Sequence, residues 1–291
     1  MRAVAIFGPN AFPSDLELFQ SDEVRIPVAE SLSAAGAVEA GLVFGGDGTV
    51  HRHLAAFVES KTPMLVVPHG SGNDFAVAVG VRTRDDALAA WKKFQAGAGN
   101  VRAVDVGRIT PLSQPGVAPA YYCCVAGAGV DSDANRRANA QSAWLRRHGG
   151  YTLAALQAIF SFQPRRITVA AAAANPGEPA PPVISEPGWM VAFANAPTYG
   201  GGMRIAPQAR LDDGKLDVCF LRRTGRLRLL RLFPRVFSGG HLASPDVTYF
   251  QATAFRVEAE SPLDVYADGD YVCRTPVEVG ILPGALRLLV P

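Results

Sequence analysis

At 291 residues the chain is long for one compact core and sufficient for two. A hydrophobic content of 48% with 19% charged residues excludes an intrinsically disordered protein. A formal net charge of +2 lacks the basic footprint of a nucleic-acid-binding protein, so no nucleic acid partner is expected.

In chain order, the apolar runs at 4–7, 42–44 and 64–67 have the length and composition of short buried strands. Residues 31–40 and 51–60 between them have helical patterning, the second with Leu54, Phe57 and Val58 at i, i+3 and i+4. A further turn and helix begin at 74–79, and 85–95 form an amphipathic helix carrying Leu88, Trp91 and Phe94. This alternation predicts a mainly parallel sheet with helices on its faces. Beyond residue 100 the pattern becomes short β-rich runs separated by Gly and Pro, at 103–109, 121–125, 167–173, 189–195, 216–221, 254–260, 263–267 and 286–290. Such runs predict an antiparallel sandwich or barrel. The expected fold is therefore an α/β domain over 1–100 with a mainly parallel sheet. A mainly antiparallel β-sandwich domain over 101–291 follows, with helical insertions at 133–162 and 226–237. Residues 171–188, rich in Ala and Pro, read as a mobile hairpin tip.

The first apolar run, 3–7, is too short for a signal peptide, and the longest, 151–162, is about half the length that spans a bilayer. The expectation is a protein without a transmembrane segment, soluble or held at a membrane surface from outside. Cys123, Cys124, Cys219 and Cys273 have no metal-ligand spacing and read as buried thiols in a reducing compartment.

Two glycine-rich turns follow predicted strands: Gly45-Gly46-Asp47-Gly48-Thr49, and Gly70-Ser71-Gly72-Asn73-Asp74 within PHGSGNDFA. Glycine admits positive φ and lets backbone N–H groups approach an anion closely. Two such turns close in sequence suggest one polyphosphate held between adjacent strand ends. Neither is a Walker A loop nor a dinucleotide fingerprint, since no Gly-Lys-Ser/Thr follows and His51 stands where a third glycine is needed. The structural alternative is a pair of tight turns with Asp47 and Asp74 capping the helices that follow.

GGDGTV together with PHGSGNDFA resembles the diacylglycerol kinase catalytic family, which includes bacterial lipid kinases and sphingosine kinases. The likeness extends to NAPTYGGGMRIAPQARLDDGKLDV at 195–218, to Asp268-Gly269-Asp270 where the family carries Asp-Gly-Glu, and to the closing VGILPGALRLLVP. The resemblance implies transfer of the γ-phosphate of ATP to a lipid hydroxyl, with ATP on the two glycine-rich loops. Asp268 and Asp270 would supply the base, a role a carboxylate beside the attacking alcohol can fill. The choice between them is open, and a plain β-hairpin is the alternative for this turn. A magnesium site is implied near Asp212-Asp213-Gly214, with the Asp213 carboxylate and the main-chain carbonyls of Arg210 and Lys215 as hard oxygen ligands. A catalytic Mg²⁺ would travel with ATP. The implied location is cytoplasmic, at the inner face of the membrane, with a homodimer left open.

Residues 226–237 place Arg228, Arg231 and Arg235 on one helical stripe and Leu229, Leu232, Phe233 and Val236 on another, with Pro234 interrupting. This segment reads as a helix packed on the sandwich with a solvated basic face. A surface for anionic lipid headgroups is its alternative, and the arginines flanking 151–162 are a second candidate. Asp131, Asp133 and Asn135 begin like a calcium loop, but Arg136 and Ser142 break the pattern. The N-terminus departs from the family: the first strand ends Phe7-Gly8-Pro9-Asn10, and no threonine precedes Thr49, so a βα unit is compressed or lost. An NAD kinase-like enzyme and a non-catalytic lipid- or nucleotide-binding protein are the competing readings.

Overall fold

The computed structural model describes residues 1–21, 24–70, 72–114, 116–141, 150–171 and 182–291. The chain forms two compact units. Unit 1 comprises Met1–Val106, Leu211–Asp213 and Leu282–Pro291; unit 2 comprises Gly107–Arg210 and Gly214–Ile281. The first division thus follows Val106 rather than residue 100, and the C-terminal segment returns to unit 1.

In unit 1, β1 (Ala3–Phe7), β2 (Ala40–Gly45) and β3 (Met64–Pro68) pair in parallel, with Phe7 opposite Phe44 and Gly45 opposite Pro68. The end of β14 (Val277–Leu289) joins β3 in parallel at Leu288. These first strands are almost continuously buried, as strands covered on both faces must be. The cover comes from α2 (Asp47–Ser60), which packs on β2, and from α4 (Arg84–Gln95), which packs on β3; α3 (Asp74–Ala78) lies between them in sequence. Thr83 and Asp86 close a capping box at the start of α4, through bonds of 3.2 and 2.9 Å.

The helix expected at 31–40 is a single turn, α1 (Leu32–Ala35). Gly36 ends it at φ 71°, and Ala40 is already the first residue of β2. The described residues of the β1–β2 connection also include a 3₁₀ turn, Pro13–Phe19, whose Phe19 carbonyl accepts the Trp91 indole N–H at 2.8 Å, and Val28, which bridges Ala5 of β1 in parallel.

Unit 2 is mainly antiparallel. Strand β11 (Ala254–Ala259) pairs β7 (Arg165–Ala171), β7 pairs β8 (Pro182–Ala194), β8 pairs β6 (Val125–Gly129), β6 pairs β12 (Asp264–Ala267), and β12 pairs β13 (Asp270–Arg274). On the other side of β8 follow β9 (Leu216–Arg222) and β10 (Val247–Ala252). The start of β14 pairs β11, and β4 (Val101–Pro111) pairs β5 (Ala120–Tyr122). Phe193, Phe220, Phe255, Val191 and Val257 fill the core of this sandwich. The helical insertions are α5 (Val130–Asn139), α6 (Gly150–Ser161) and α7 (Arg226–Leu232), which passes into a 3₁₀ turn, Phe233–Ser238, where Pro234 enters.

The strand expected at 121–125 is two strands, β5 and β6, broken at Cys123-Cys124, whose N–H groups turn to a carboxylate instead of a neighbouring strand. Most of the hairpin tip expected at 171–188 lies outside the described residues, but 182–188 belong to β8. All four cysteines are free and buried, and burial pushes Cys219 up to about 12 and Cys273 to about 11. No helix among the described residues is long and apolar enough to cross a membrane.

Candidate functional site

Both glycine-rich loops leave the carboxyl ends of neighbouring parallel strands, the edge at which open α/β sheets place their ligands. The first runs straight into α2. Gly46 is the N-cap, and its carbonyl accepts Thr49 N and Val50 N at 2.9 and 3.1 Å. The opening turn of α2, with its amide groups and helix dipole, therefore stands at Asp47 and Gly48.

Asp47 reaches beyond its own helix. Its Oδ2 accepts Asp74 N and its Oδ1 accepts Phe75 N, both at 3.0 Å, so it caps α3, the helix beyond the second loop. The second loop is closed by Asn73, which is left-handed at φ 52°. Its Oδ1 accepts Gly70 N, and its Nδ2 donates to Gly70 O, each at 2.8 Å. His69 N donates to Gly45 O at 3.0 Å. The two loops are thus one docked body. Gly46 and Gly70 meet so closely that a Cβ on Gly46 would lie 2.7 Å from Gly70 Cα.

Thr49 is buried against Gly8 and Gly45 and holds the ends of β1 and β2 together. Asp74 is buried, Gly72 and Asn73 are half-buried, and Ser71 lies outside the described residues. A cradle of backbone amides at a helix start suits phosphate oxygens. Replacing Asp47 by Ala should cost about 1–2 kcal/mol through loss of the α3 cap. A urea unfolding curve of the purified protein checks this.

In unit 2 the Asp-Gly-Asp turn is a tight hairpin. Ala267 pairs Asp270 across it, and Asp268 (φ 48°) and Gly269 (φ 91°) occupy the left-handed region that a two-residue primed turn demands. The hairpin named as the alternative is therefore present, but Asp268 does more than turn the chain. Its carboxylate accepts Cys123 N at 2.7 Å, Cys124 N at 2.9 Å and Val125 N at 3.1 Å. From the other side Asn195 Nδ2 donates to Cys123 O at 2.8 Å, and Asn195 N to Cys124 O at 2.8 Å. The break between β5 and β6 is clamped by two polar side chains whose roles were not apparent from sequence. Asp270, two residues on, is exposed.

Unit 2 also holds an apolar cavity that opens to solvent. The stripe Leu229, Leu232, Phe233 and Val236 lines it with Met190 and Ile159, so this face of the 226–237 segment is cavity wall. Among the lining residues are Asp131 at the start of α5 and Tyr199, whose hydroxyl donates to Asp131 Oδ1 at 3.0 Å. Tyr199 and Met203 exchange backbone bonds of 3.1 and 3.0 Å around Gly200-Gly201-Gly202, which brings both side chains to the cavity. His241 is a further lining residue. Burial pushes its imidazole down more than its bond to Ile205 O at 3.1 Å raises it, and Arg235 adds to the fall.

Asp213 belongs to unit 1, and Arg210 and Lys215 to unit 2. Among the described residues no group of three or more His, Cys, Asp or Glu is placed to hold a metal ion. The Asp131, Asp133, Asn135 run is helical, with Asp133 paired to Arg137 at 2.8 Å and to Arg136.

Residues 4–109 match the diacylglycerol kinase catalytic domain, and residues 124–290 match the YegS C-terminal NAD kinase beta sandwich-like domain. A diacylglycerol kinase of Mycobacterium tuberculosis is 31% identical over 259 residues, spanning 89% of this chain and 79% of that one. The chain belongs to the diacylglycerol kinase catalytic family. A YegS-like lipid kinase of Chromohalobacter salexigens is 26% identical across 93% of this chain and 81% of its own length. Human sphingosine kinase 2 is 37% identical over 120 residues, 39% of this chain and 18% of its own length. A solved Bacillus anthracis protein carrying the diacylglycerol kinase name superposes with a TM-score of 0.73 at 19% identity, covering 100% of this chain and 97% of that one. That likeness concerns the fold: parallel strands first, then the mainly antiparallel sandwich. Family membership makes the protein a phosphotransferase with an alcohol acceptor.

Proposed function

We propose that the protein is an ATP-dependent kinase of a membrane lipid, with the triphosphate on the paired loops of unit 1 and the lipid tail in the cavity of unit 2. The cavity carries the reading. Walls of Leu, Ile, Met and Phe suit an alkyl chain, and they offer little to the polar dinucleotide an NAD kinase must bind. The lipid hydroxyl oxygen attacks the γ-phosphorus, the bond to the ADP oxygen breaks, and the hydroxyl proton passes to a carboxylate. Of the two acids in the turn we assign that base to Asp270. The Asp268 oxygens already take three backbone N–H bonds, whereas the Asp270 side chain is exposed.

The oxygen donors at Arg210, Asp213 and Lys215, one carboxylate and two carbonyls, have the hardness Mg²⁺ prefers, so the donor chemistry fits the ion the family implies. The Mg²⁺ that accompanies ATP would offset charge on the transferring phosphates. Exposed Leu153 and Phe160 on α6, and Leu227 and Phe237 with exposed Arg231 and Arg235 on the α7 segment, suit the surface of an anionic bilayer.

Purified protein given radiolabelled ATP and a membrane lipid extract should label a lipid, and the labelled species identifies the substrate. Label appearing on NAD and on no lipid would overturn the reading. Ala155→Trp, which fills the cavity from α6, should lower lipid labelling by at least about tenfold, the order by which occluding a substrate pocket acts. ATP binding, followed by calorimetry, should be unchanged.

A further inference from the structure

The residue before the second loop carries an anchor that neither the loop motifs nor the acceptor chemistry uses. The His69 side chain is 4% exposed. Its Nδ1 stands 3.1 Å from Val67 O on its own strand, and its Nε2 3.1 Å from Asp15 Oδ2. Asp15 comes from the 3₁₀ turn, in the N-terminal stretch where the sequence departs most from its family. The same carboxylate accepts Phe12 N at 2.8 Å and pairs with Arg84 at 2.8 Å, at the start of α4. Burial alone would raise the Asp15 carboxyl; the Phe12 N–H, His69 and Arg84 together outweigh it and hold the group below its ordinary value. One buried carboxylate thus ties three otherwise separate segments together: the turn after β1, the mouth of the second loop, and the first turn of α4.

The position of this anchor gives it a consequence. The far end of the loop is fixed by Asp47, which caps α3, and by Asn73, which closes on Gly70. The near end is fixed by His69, through its own N–H to Gly45 O and through its ring to Asp15. With Gly70 directly after His69, a rotation of the ring away from Asp15 moves the first amide of the cradle. His69 and Asp15 are too buried to touch a ligand themselves, so any effect on it passes through the loop backbone. Burying the Asp15 carboxylate is a costly arrangement if stability alone is served, since an apolar filling of similar volume is often at least as stable.

We propose that His69 and Asp15 are positioning residues for the nucleotide phosphates, holding Gly70, and through it Asn73, in place for binding. This rests on the assignment of the two loops to nucleotide.

The test uses the full-length protein with Asp15→Asn, His69→Gln, the double variant and Arg84→Gln. Titration calorimetry with ATP and Mg²⁺ reads affinity, steady-state kinetics with the labelled lipid reads turnover, and thermal melting reads stability. Each buried single variant should weaken ATP binding by about tenfold, the order of coupling within one polar network. The KM for lipid and kcat at saturating ATP should stay within about twofold, and the double variant should be no worse than the poorer single variant. Lowered melting temperatures with unchanged ATP affinity, measured well below melting, would show a merely structural brace and overturn the proposal. Should neither buried variant fold, Arg84→Gln decides, because Arg84 is half exposed: weakened ATP binding supports the proposal and unchanged binding overturns it. If the wild-type protein labels lipid yet binds no ATP, the assignment of the loops to that nucleotide fails, and the proposal fails with it.

Discussion

Asp270→Asn should lower phosphoryl transfer at least about 100-fold, the usual loss when a general base is removed, while melting within a degree or so of the wild type. Asp268→Ala should do something different: lose about 3–5 kcal/mol of stability, because three N–H groups in the buried Cys123–Val125 stretch lose their acceptor at once. The two acids stand on either side of one glycine, so distance from the reaction cannot explain opposite outcomes; only the occupancy of their oxygens can. Asp268→Asn offers an intermediate case. It keeps one acceptor oxygen and tolerates the left-handed backbone at φ 48°, but it turns an amide NH₂ toward backbone donors. It should unfold at lower urea than wild type and higher urea than Asp268→Ala, with activity lost in step with stability. Paired urea melts and lipid-labelling rates check the assignment. An Asp270→Asn protein that transfers phosphate at the wild-type rate would remove Asp270 as the base.

The strands of unit 1 were legible because their burial on both faces leaves continuous apolar runs, and α4 because Leu88, Trp91 and Phe94 keep helical spacing. What escaped was structure set by long-range polar contacts. The break between β5 and β6 depends on Asp268, more than a hundred residues away in sequence. The Asp47 carboxylate, a local cap in the structural alternative for its loop, serves the helix after the next loop. Strand β10 is half-buried along nearly its whole length, so it carries no clean alternation, and the polar turn Asp268-Gly269 concealed that β13 begins at Asp270. In the acceptor half, the apolar stripe of α7 was visible, but periodicity cannot tell a helix face that meets a core from one that walls a cavity. Asp131, which in the sequence only begins a broken calcium loop, lines that cavity together with its partner Tyr199 from a turn elsewhere in the chain.

Gly46, Gly48 and Gly70 of the donor loops should separate in their response to one added methyl group. Gly70→Ala puts a Cβ 2.6 Å from Gly46 Cα and 2.8 Å from Asn73 Oδ1, and Gly46→Ala puts one 2.7 Å from Gly70 Cα. The obstacle is backbone in both cases, so no flexible side chain can swing aside and the loops must part. A displacement of about 1 Å in a positioning element is enough to cost on the order of 100-fold. Both variants should therefore lose ATP binding and lipid labelling to about that extent. They should also melt earlier, since parting the loops strains the bonds from Asp47 to α3 and from His69 N to Gly45 O. Gly48 is the contrasting position. It lies in the first turn of α2, and a Cβ there meets no protein atom within 4 Å. On packing and helix propensity alone Gly48→Ala should be neutral or stabilising by about 0.5–1 kcal/mol. If phosphate oxygens approach the opening turn of α2, that same methyl group stands in their path, and ATP affinity should fall while the melting temperature holds or rises. A Gly48→Ala protein that is both more stable and unimpaired in ATP binding would mean that the glycine serves no ligand. The polyphosphate would then have to rest on the Gly70–Asn73 side of the paired loops alone.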